Sequence, residues 1–208
     1  MGENLQIKNG KYHFDFIYQG KKIEGIQLGL PGKHNVENAI AAIAVAIKLN
    51  VSPQAIKQAL REYRGVKRRF EQIISTEKQI FIDDYAHHPT EIAACIKSVR
   101  ALHPGKKILG IFQPHLYSRT RDFADEFAQS LDLLDDVILL PVYPAREKPI
   151  QGIDSQIIFD KITKTPKKIV QKSELLYEIK EHDFDILITL GAGDIDALVL
   201  PIKQTVFK

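Results

Sequence analysis

From Phe70 onward, short apolar runs alternate with amphipathic stretches, and this alternation constrains the fold more than any other feature. The apolar runs are residues 79–83, 107–112, 137–142 and 184–190, and the stretches with helical spacing are 89–102, 118–134, 154–162, 173–180 and 194–200. A strand with one wet face alternates polar and apolar residues, so a nearly unbroken apolar run implies a strand covered on both faces. Strand–helix repetition of this kind predicts an α/β fold: a Rossmann-like, mainly parallel sheet with helices on both faces.

The preceding residues read differently. Tyr12, Phe14, Phe16 and Tyr18 alternate with His13, Asp15 and Ile17, which is strand periodicity. Gly20-Lys21 marks a turn and residues 23–28 return, giving a β-hairpin. Two strands alone are marginal in water, so the hairpin needs a packing partner: the next helix, or structure outside this chain. Pro31-Gly32 breaks the strand, and Asn35 opens a helix to about residue 49 with Ile40, Ile43, Ala44 and Ile47 on one face. Ser52 and Pro53 are an N-cap and a first-turn proline for a helix to about Glu62. Gly65 and the basic Lys67-Arg68-Arg69 then mark a boundary, dividing residues 1–66 from 67–208.

Composition narrows the function classes. Hydrophobic residues make up 44% of the 208, enough for a sizeable core. A net charge of +3, from 29 basic and 26 acidic residues, gives no case for nucleic acid as a partner. Cys95 is the only cysteine, so no internal disulfide forms and a reducing compartment is expected. The apolar run 39–47 is too short for a bilayer, and the first residues lack a charged-then-apolar leader pattern. A cytoplasmic protein with no membrane partner is the expectation.

In open parallel sheets ligands bind beyond the carboxyl ends of the strands. Unusual residues gather there in this sequence, in segments 83–89, 113–121, 141–147 and 191–194. Asp84 and His87 put a carboxylate and an imidazole close together, suited to a ribose or sugar hydroxyl and to nucleotide orientation or proton transfer. Either Asp83 or Asp84 could instead cap the helix from Pro89. The neighbouring histidines His87 and His88 do not aim at one ion, and no metal ligand is assigned. His115, Arg119 and Arg121 form a cationic cluster near a helix start, suited to carboxylate or phosphate, or else an ordinary solvated helix start paired with Asp122 and Asp125. Asn35 and Asn38, three apart, share one helix side and offer amides that suit an adenine edge, unless Asn35 is the N-cap. Gly191-Ala192-Gly193 reads as a tight strand–helix turn capped by Asp194. No G-x-x-x-x-G-K-[ST] phosphate loop occurs, since Gly32-Lys33 is followed by His34.

Taken together, these segments resemble the Mur ligases, ATP-dependent enzymes that build the peptidoglycan stem peptide. The matching motifs are Gly32-Lys33-His34-Asn35-x-x-Asn38-Ala39, Arg68-Arg69-Phe70-Glu71 and, most specific, Asp83-Asp84-Tyr85-Ala86-His87-His88-Pro89-Thr90-Glu91. Phe112-Gln113-Pro114-His115, Arg119-Thr120-Arg121-Asp122, Val142-Tyr143-Pro144-Ala145, Gly152-x-Asp154-Ser155 and Gly191-Ala192-Gly193-Asp194-Ile195 are similar to the members that add L-alanine to UDP-N-acetylmuramate. Leu116 departs from the arginine those members often carry there, which removes one candidate anion contact. A murein-peptide-recycling ligase of the same superfamily is the nearest competitor, and a non-catalytic nucleotide-binding module or a scaffold for a separate ATPase are other readings.

The resemblance implies three domains in complete enzymes, of which residues 1–66 are the tail of the central ATP-binding domain and 67–208 the C-terminal domain. The UDP-sugar domain and the phosphate loop then lie outside this chain. ATP and Mg2+ are the implied cofactors, and the carboxylate is activated as an acyl phosphate that alanine attacks. Asn35, Asn38, Arg69 and Asp84 are the implied nucleotide-binding residues and His87 the catalytic one. His115, Arg119 and, less centrally, Arg121 are implied to face the amino-acid carboxylate.

Overall fold

The computed structural model describes residues 1–8, 10–30 and 32–207; Pro31, read above as part of the strand break, lies outside them. The chain divides into two compact units, residues 1–66 with 98–104, and residues 67–97 with 105–208.

The first unit holds more β structure than the expected hairpin. Strands β1 (Gly2–Lys8), β2 (Lys11–Tyr18) and β3 (Lys21–Gln27) form an antiparallel meander with β2 in the centre. β1 escapes periodicity analysis because both its faces are largely exposed, so its sequence carries no alternation. Alternation in β2 turns Tyr12, Phe14 and Phe16 inward, where they are buried with Ile23, Ile26 and Leu28. Helix α1 (Lys33–Lys48) packs on β2, and α2 (Pro53–Glu62) packs on β3, so the partner that the hairpin requires is present within the unit. Ser52 Oγ accepts from Ala55 N–H at 3.3 Å, with Pro53 opening α2. Gly32, not Asn35, is the N-cap of α1.

The second unit is a six-stranded sheet of β4 (Glu71–Ser75), β5 (Ile80–Asp84), β6 (Ile108–Phe112), β7 (Asp136–Leu139), β8 (Lys167–Ile169) and β9 (Ile186–Leu190), in the order β4-β5-β9-β6-β7-β8. All neighbours are parallel except β4, which runs antiparallel along the edge. Every residue of β5, β6 and β9 is buried, the physical reason for their unbroken apolar runs. The remaining helices are α3 (Pro89–Leu102), α4 (Tyr117–Asp122), α5 (Ala124–Leu131), α6 (Gln156–Phe159), α7 (Leu175–Glu178) and α8 (Val199–Val206), with 3-10 turns at Ile179–Glu181 and Asp194–Leu198. Phe81, Leu109, Ile111, Ile138 and Leu187 form one core with Leu175, Ile179, Ile195 and Ile202. The other face receives α5, where Phe127 packs on Phe112 with ring centroids 5.2 Å apart.

Several expected elements are shorter than their patterns. The stretch 118–134 is two helices, broken at Phe123, whose φ of −121° is not helical. The third parallel strand stops at Leu139, ahead of Pro141, which has no N–H to donate. β4 and the three-residue β8 carry mixed polar and apolar residues, so neither shows a strand pattern in the sequence. Among the described residues, no helix is long and apolar enough to cross a membrane.

Candidate functional site at the carboxyl edge of the parallel sheet

Parallel register levels the strand ends. Asp84 pairs with Leu190, Leu190 with Phe112, and Phe112 with Leu139. The ladder then continues past the strands: Gly191 N–H donates to Asp84 O (3.2 Å), Gln113 N–H to Leu190 O (3.0 Å) and Tyr143 N–H to Pro114 O (2.8 Å). His115 and Tyr143 form an isolated parallel bridge. The four polar segments singled out in the sequence therefore meet at one edge of one sheet.

Two buried aspartates open this edge. Asp83 is 1% exposed; its carboxylate accepts from Thr189 Oγ at 2.6 Å and sits 3.5 Å from Arg68 Nε. Burial pushes the Asp83 carboxyl above its ordinary range, against the pull of Thr189 and Arg68. Asp84 is 7% exposed, and its two oxygens accept from the backbone N–H groups of Phe70 and Ala86, each at 2.7 Å. Burial raises the Asp84 carboxyl too, although both backbone bonds oppose it. Neither aspartate caps α3. His88 Nδ1 accepts from Thr90 N–H in the first turn (3.4 Å), and Glu91 reaches back to accept from His87 N–H (3.1 Å) and His88 N–H (3.2 Å). Pro89 at the first helical position with Glu91 two residues later is the sequence signal that identifies such a cap.

Arg68 and Arg69 have separate tasks. Arg68 is half-buried and donates to Gly191 O (2.5 Å) and Gly193 O (3.4 Å), lies 3.5 Å from Asp196 and covers the Tyr85 ring at 5.0 Å. Arg69 is exposed, with its guanidinium 5.6 Å from the centroid of the same ring. Sequence reasoning assigned no role to Arg68, because nothing in the pair Arg68-Arg69 tells which one turns inward.

The two imidazoles are held in opposite tautomers. His87 Nδ1 lies 3.0 Å from Tyr85 O, a pure acceptor, so the neutral ring carries its proton on Nδ1 and leaves Nε2 with a lone pair. His115 Nδ1 lies 3.2 Å from Arg119 Nη1, a pure donor, so the neutral ring carries its proton on Nε2. The ring centroids are 6.1 Å apart. Burial, and then the charges of Arg119 and His87, hold His115 below the usual imidazole range. The two rings adjoin and Arg119 lies on the Nδ1 side of His115; an acceptor nitrogen, an N–H donor and a guanidinium are groups that can bind a carboxylate and take a proton from an ammonium.

Arg121 is not part of this grouping. It lies two residues from Arg119 on α4 and pairs with Asp122 at 2.7 Å on the exposed surface. Leu116, at φ 73°, adopts the left-handed conformation that is uncommon for a non-glycine residue. Its carbonyl accepts from Thr120 N–H and Thr120 Oγ, and α4 starts beside it. Glu147 accepts from Ser118 N–H at 3.0 Å and from Ser118 Oγ, tying the third strand's loop to this start.

Gln113 is fully buried and organises the fourth segment. Its Oε1 accepts from Ile195 N–H (2.9 Å) and its Nε2 donates to Asp194 (2.8 Å). Gly191 has φ 145°, and a Cβ there meets Gln113 O at 2.8 Å, so the turn needs glycine for both reasons. Asn35 and Asn38 belong to the first unit: Asn35 is half-buried and Asn38 exposed, both within α1. Among the described residues, no group of three or more His, Cys, Asp or Glu is placed to hold a metal ion.

Comparison with known proteins bears on these features. The family model described as Mur ligase, glutamate ligase domain, matches residues 68–193, and that of the Mur ligase middle domain matches residues 1–46. A UDP-N-acetylmuramate–L-alanine ligase from Flavobacterium johnsoniae is 49% identical over 201 residues, covering 97% of this chain and 45% of its own length. The chain thus spans under half the length of the relatives it matches. The solved UDP-N-acetylmuramate-alanine ligase from Thermotoga maritima superimposes with a TM-score of 0.81 at 28% identity, over 98% of this chain and 44% of that one. A murein peptide ligase from Psychrobacter arcticus, with a TM-score of 0.63 at 20% identity over 98% of this chain and 43% of that one, shares the fold. With one family model covering more than half of its residues, the chain belongs to the Mur ligase family.

Proposed function

We propose that this chain is the C-terminal portion of an ATP-dependent ligase that joins L-alanine to UDP-N-acetylmuramate in the cytoplasm. The observation that carries this reading is the 49% identity, over 97% of the chain, to a relative of that name. The tautomer arrangement supports it: His115 Nε2–H and Arg119 hold the carboxylate of the incoming amino acid, and His87 Nε2 accepts a proton from its ammonium. Loss of that proton frees the amine lone pair for attack on an activated carboxyl carbon.

ATP supplies the phosphoryl group that activates the carboxylate, and Mg2+ neutralises the charge on its phosphates. In this reading the metal's ligands belong to the remainder of the longer enzyme, beside the phosphates. Asn35, Asn38 and Arg69 face the nucleotide in this reading. Asp84 contributes only through lone pairs that its two backbone bonds leave over, and holding the Phe70 and Ala86 backbone is its first task. Residues 1–66 are the end of the central domain and the rest is the C-terminal domain. The other domains of the same polypeptide are its partners.

The test is a phosphate-release assay on the longer polypeptide that carries this chain. Turnover that requires ATP, UDP-N-acetylmuramate and L-alanine together, with the alanyl product identified by mass, is expected; the 208-residue chain alone gives background. Turnover with a preformed murein peptide in place of alanine moves the protein to the recycling activity.

A further inference from the structure

Tyr143 belongs to a motif that the reaction as described leaves unused, yet it touches the segment that carries His115 and the turn at Gly193. Its ring lies nearly parallel to the His115 imidazole, with centroids 5.7 Å apart and 22° between planes. Its backbone is gripped on both sides, its N–H donating to Pro114 O at 2.8 Å and its carbonyl accepting from Leu116 N–H at 2.9 Å. Gly193 is its floor: a Cβ on Gly193 comes within 2.7 Å of Tyr143 Cβ and 2.8 Å of Cγ. That floor is itself fixed by buried Gln113 through Asp194 and Ile195 N–H. Asp194 in turn pairs with Lys172, whose Nζ lies 5.9 Å from the centroid of the Tyr143 ring.

We propose that Tyr143 is a positioning residue for the amino-acid pocket. Its ring is the plate that keeps the His115 imidazole turned so that Nδ1 accepts from Arg119 and Nε2–H faces outward. An imidazole on a loop has two free torsions and two tautomers, and only one combination both accepts from the guanidinium at Nδ1 and leaves Nε2–H as an outward donor. A flat ring behind it confines the imidazole to one plane and keeps water from that face, and within that plane Arg119, by donating to Nδ1, selects the flip and the tautomer. The Tyr143 hydroxyl takes no part in this, so the role belongs to the aromatic face. The pocket's assignment to an amino acid rests on the ligase reading; the positioning role does not.

Nitrogen NMR of the histidine rings tests it on the ligand-free chain. In the wild type, His115 should be the Nε2–H tautomer and show nuclear Overhauser contacts to the Tyr143 ring. Tyr143→Phe should keep the tautomer and the His115 titration midpoint, whereas Tyr143→Leu should mix the tautomers and move the midpoint upward as water reaches the ring. A Tyr143→Leu protein that loses stability but leaves His115 unchanged reduces Tyr143 to core packing and overturns the proposal. So does a Tyr143→Phe shift as large as that of Tyr143→Leu. If Tyr143→Leu does not fold, the wild-type contacts decide: an Nδ1–H tautomer, or no contact between the rings, is equally fatal. Because no ligand is present, a negative outcome leaves the ligase reading standing; that reading fails only if the longer enzyme does not join alanine.

Discussion

Replacing Arg68 by methionine keeps the length of the side chain and removes its charge and donors. Arg68 Nη2 donates to Gly191 O and Gly193 O, and Arg68 Nε faces Asp83, whose side chain is 2% exposed. Breaking a buried ion pair from one side typically costs about 3–5 kcal/mol, because the remaining charge stays desolvated. Asp83 has a partial escape, since its carboxyl is already raised by burial and can take up a proton. The contact with Asp196, which is half-exposed, adds little. The expected loss is therefore about 3 kcal/mol at neutral pH, at the lower end of that range. A raised carboxyl stabilises the fold below its unfolded pKa and loses that contribution as pH rises through the folded value. Removing Arg68 raises Asp83 further, so the loss should be larger at pH 8 than at pH 5. Urea unfolding at both pH values gives the magnitude, and hydrogen exchange of the β5 and β9 amides locates it. Asp83→Asn in the Arg68→Met background should restore part of the stability. A loss below about 1 kcal/mol, the scale of an exposed pair, or a loss independent of pH, refutes the buried Arg68–Asp83 pairing.

Three further outcomes follow from the same geometry. Asp84→Ala leaves the buried N–H groups of Phe70 and Ala86 without their acceptor, at about 1–3 kcal/mol each, so urea unfolding should detect a loss of roughly 2–6 kcal/mol; a neutral substitution contradicts the anchoring role. His115 is held low, so its neutral form's contribution to stability is present above its unfolded pKa and is lost as pH falls through the lower folded value; His115→Gln should flatten the stability–pH curve on the acid side, and an unchanged slope contradicts it. Cys95 is fully buried with its thiol pushed well up, so a thiol reagent should label it only at the rate of unfolding, and fast labelling of the folded chain contradicts that burial.

The sheet was legible because three of its strands are buried on both faces, and burial forces the unbroken apolar runs seen in β5, β6 and β9. β1, β4 and β8 left no such mark, since each has exposed or mixed faces that satisfy no period. The convergence at the sheet edge was legible for the same reason as the sheet: parallel strands place all their carboxyl ends together. Partner choice was not. Which of Arg68 and Arg69 turns inward, and that Gln113 satisfies the turn before Ile195, depend on tertiary distances. The split of Arg119 from Arg121 follows from helical geometry, as residues two apart point to opposite sides.

Kinetics of the longer enzyme with each substrate varied in turn test the central claim most directly, namely that the sheet edge holds the amino acid while α1 faces the nucleotide. Losing a charge-assisted hydrogen bond costs about 1.5–3 kcal/mol, roughly tenfold to over a hundredfold in binding. Arg119→Ala should raise the Michaelis constant for L-alanine by that factor and leave ATP within a few-fold, and Asn38→Ala, which removes a neutral hydrogen bond, should weaken ATP by about 2- to 10-fold and leave L-alanine unchanged. Arg119→Ala that changes neither constant, or that weakens both substrates equally, would contradict the assignment.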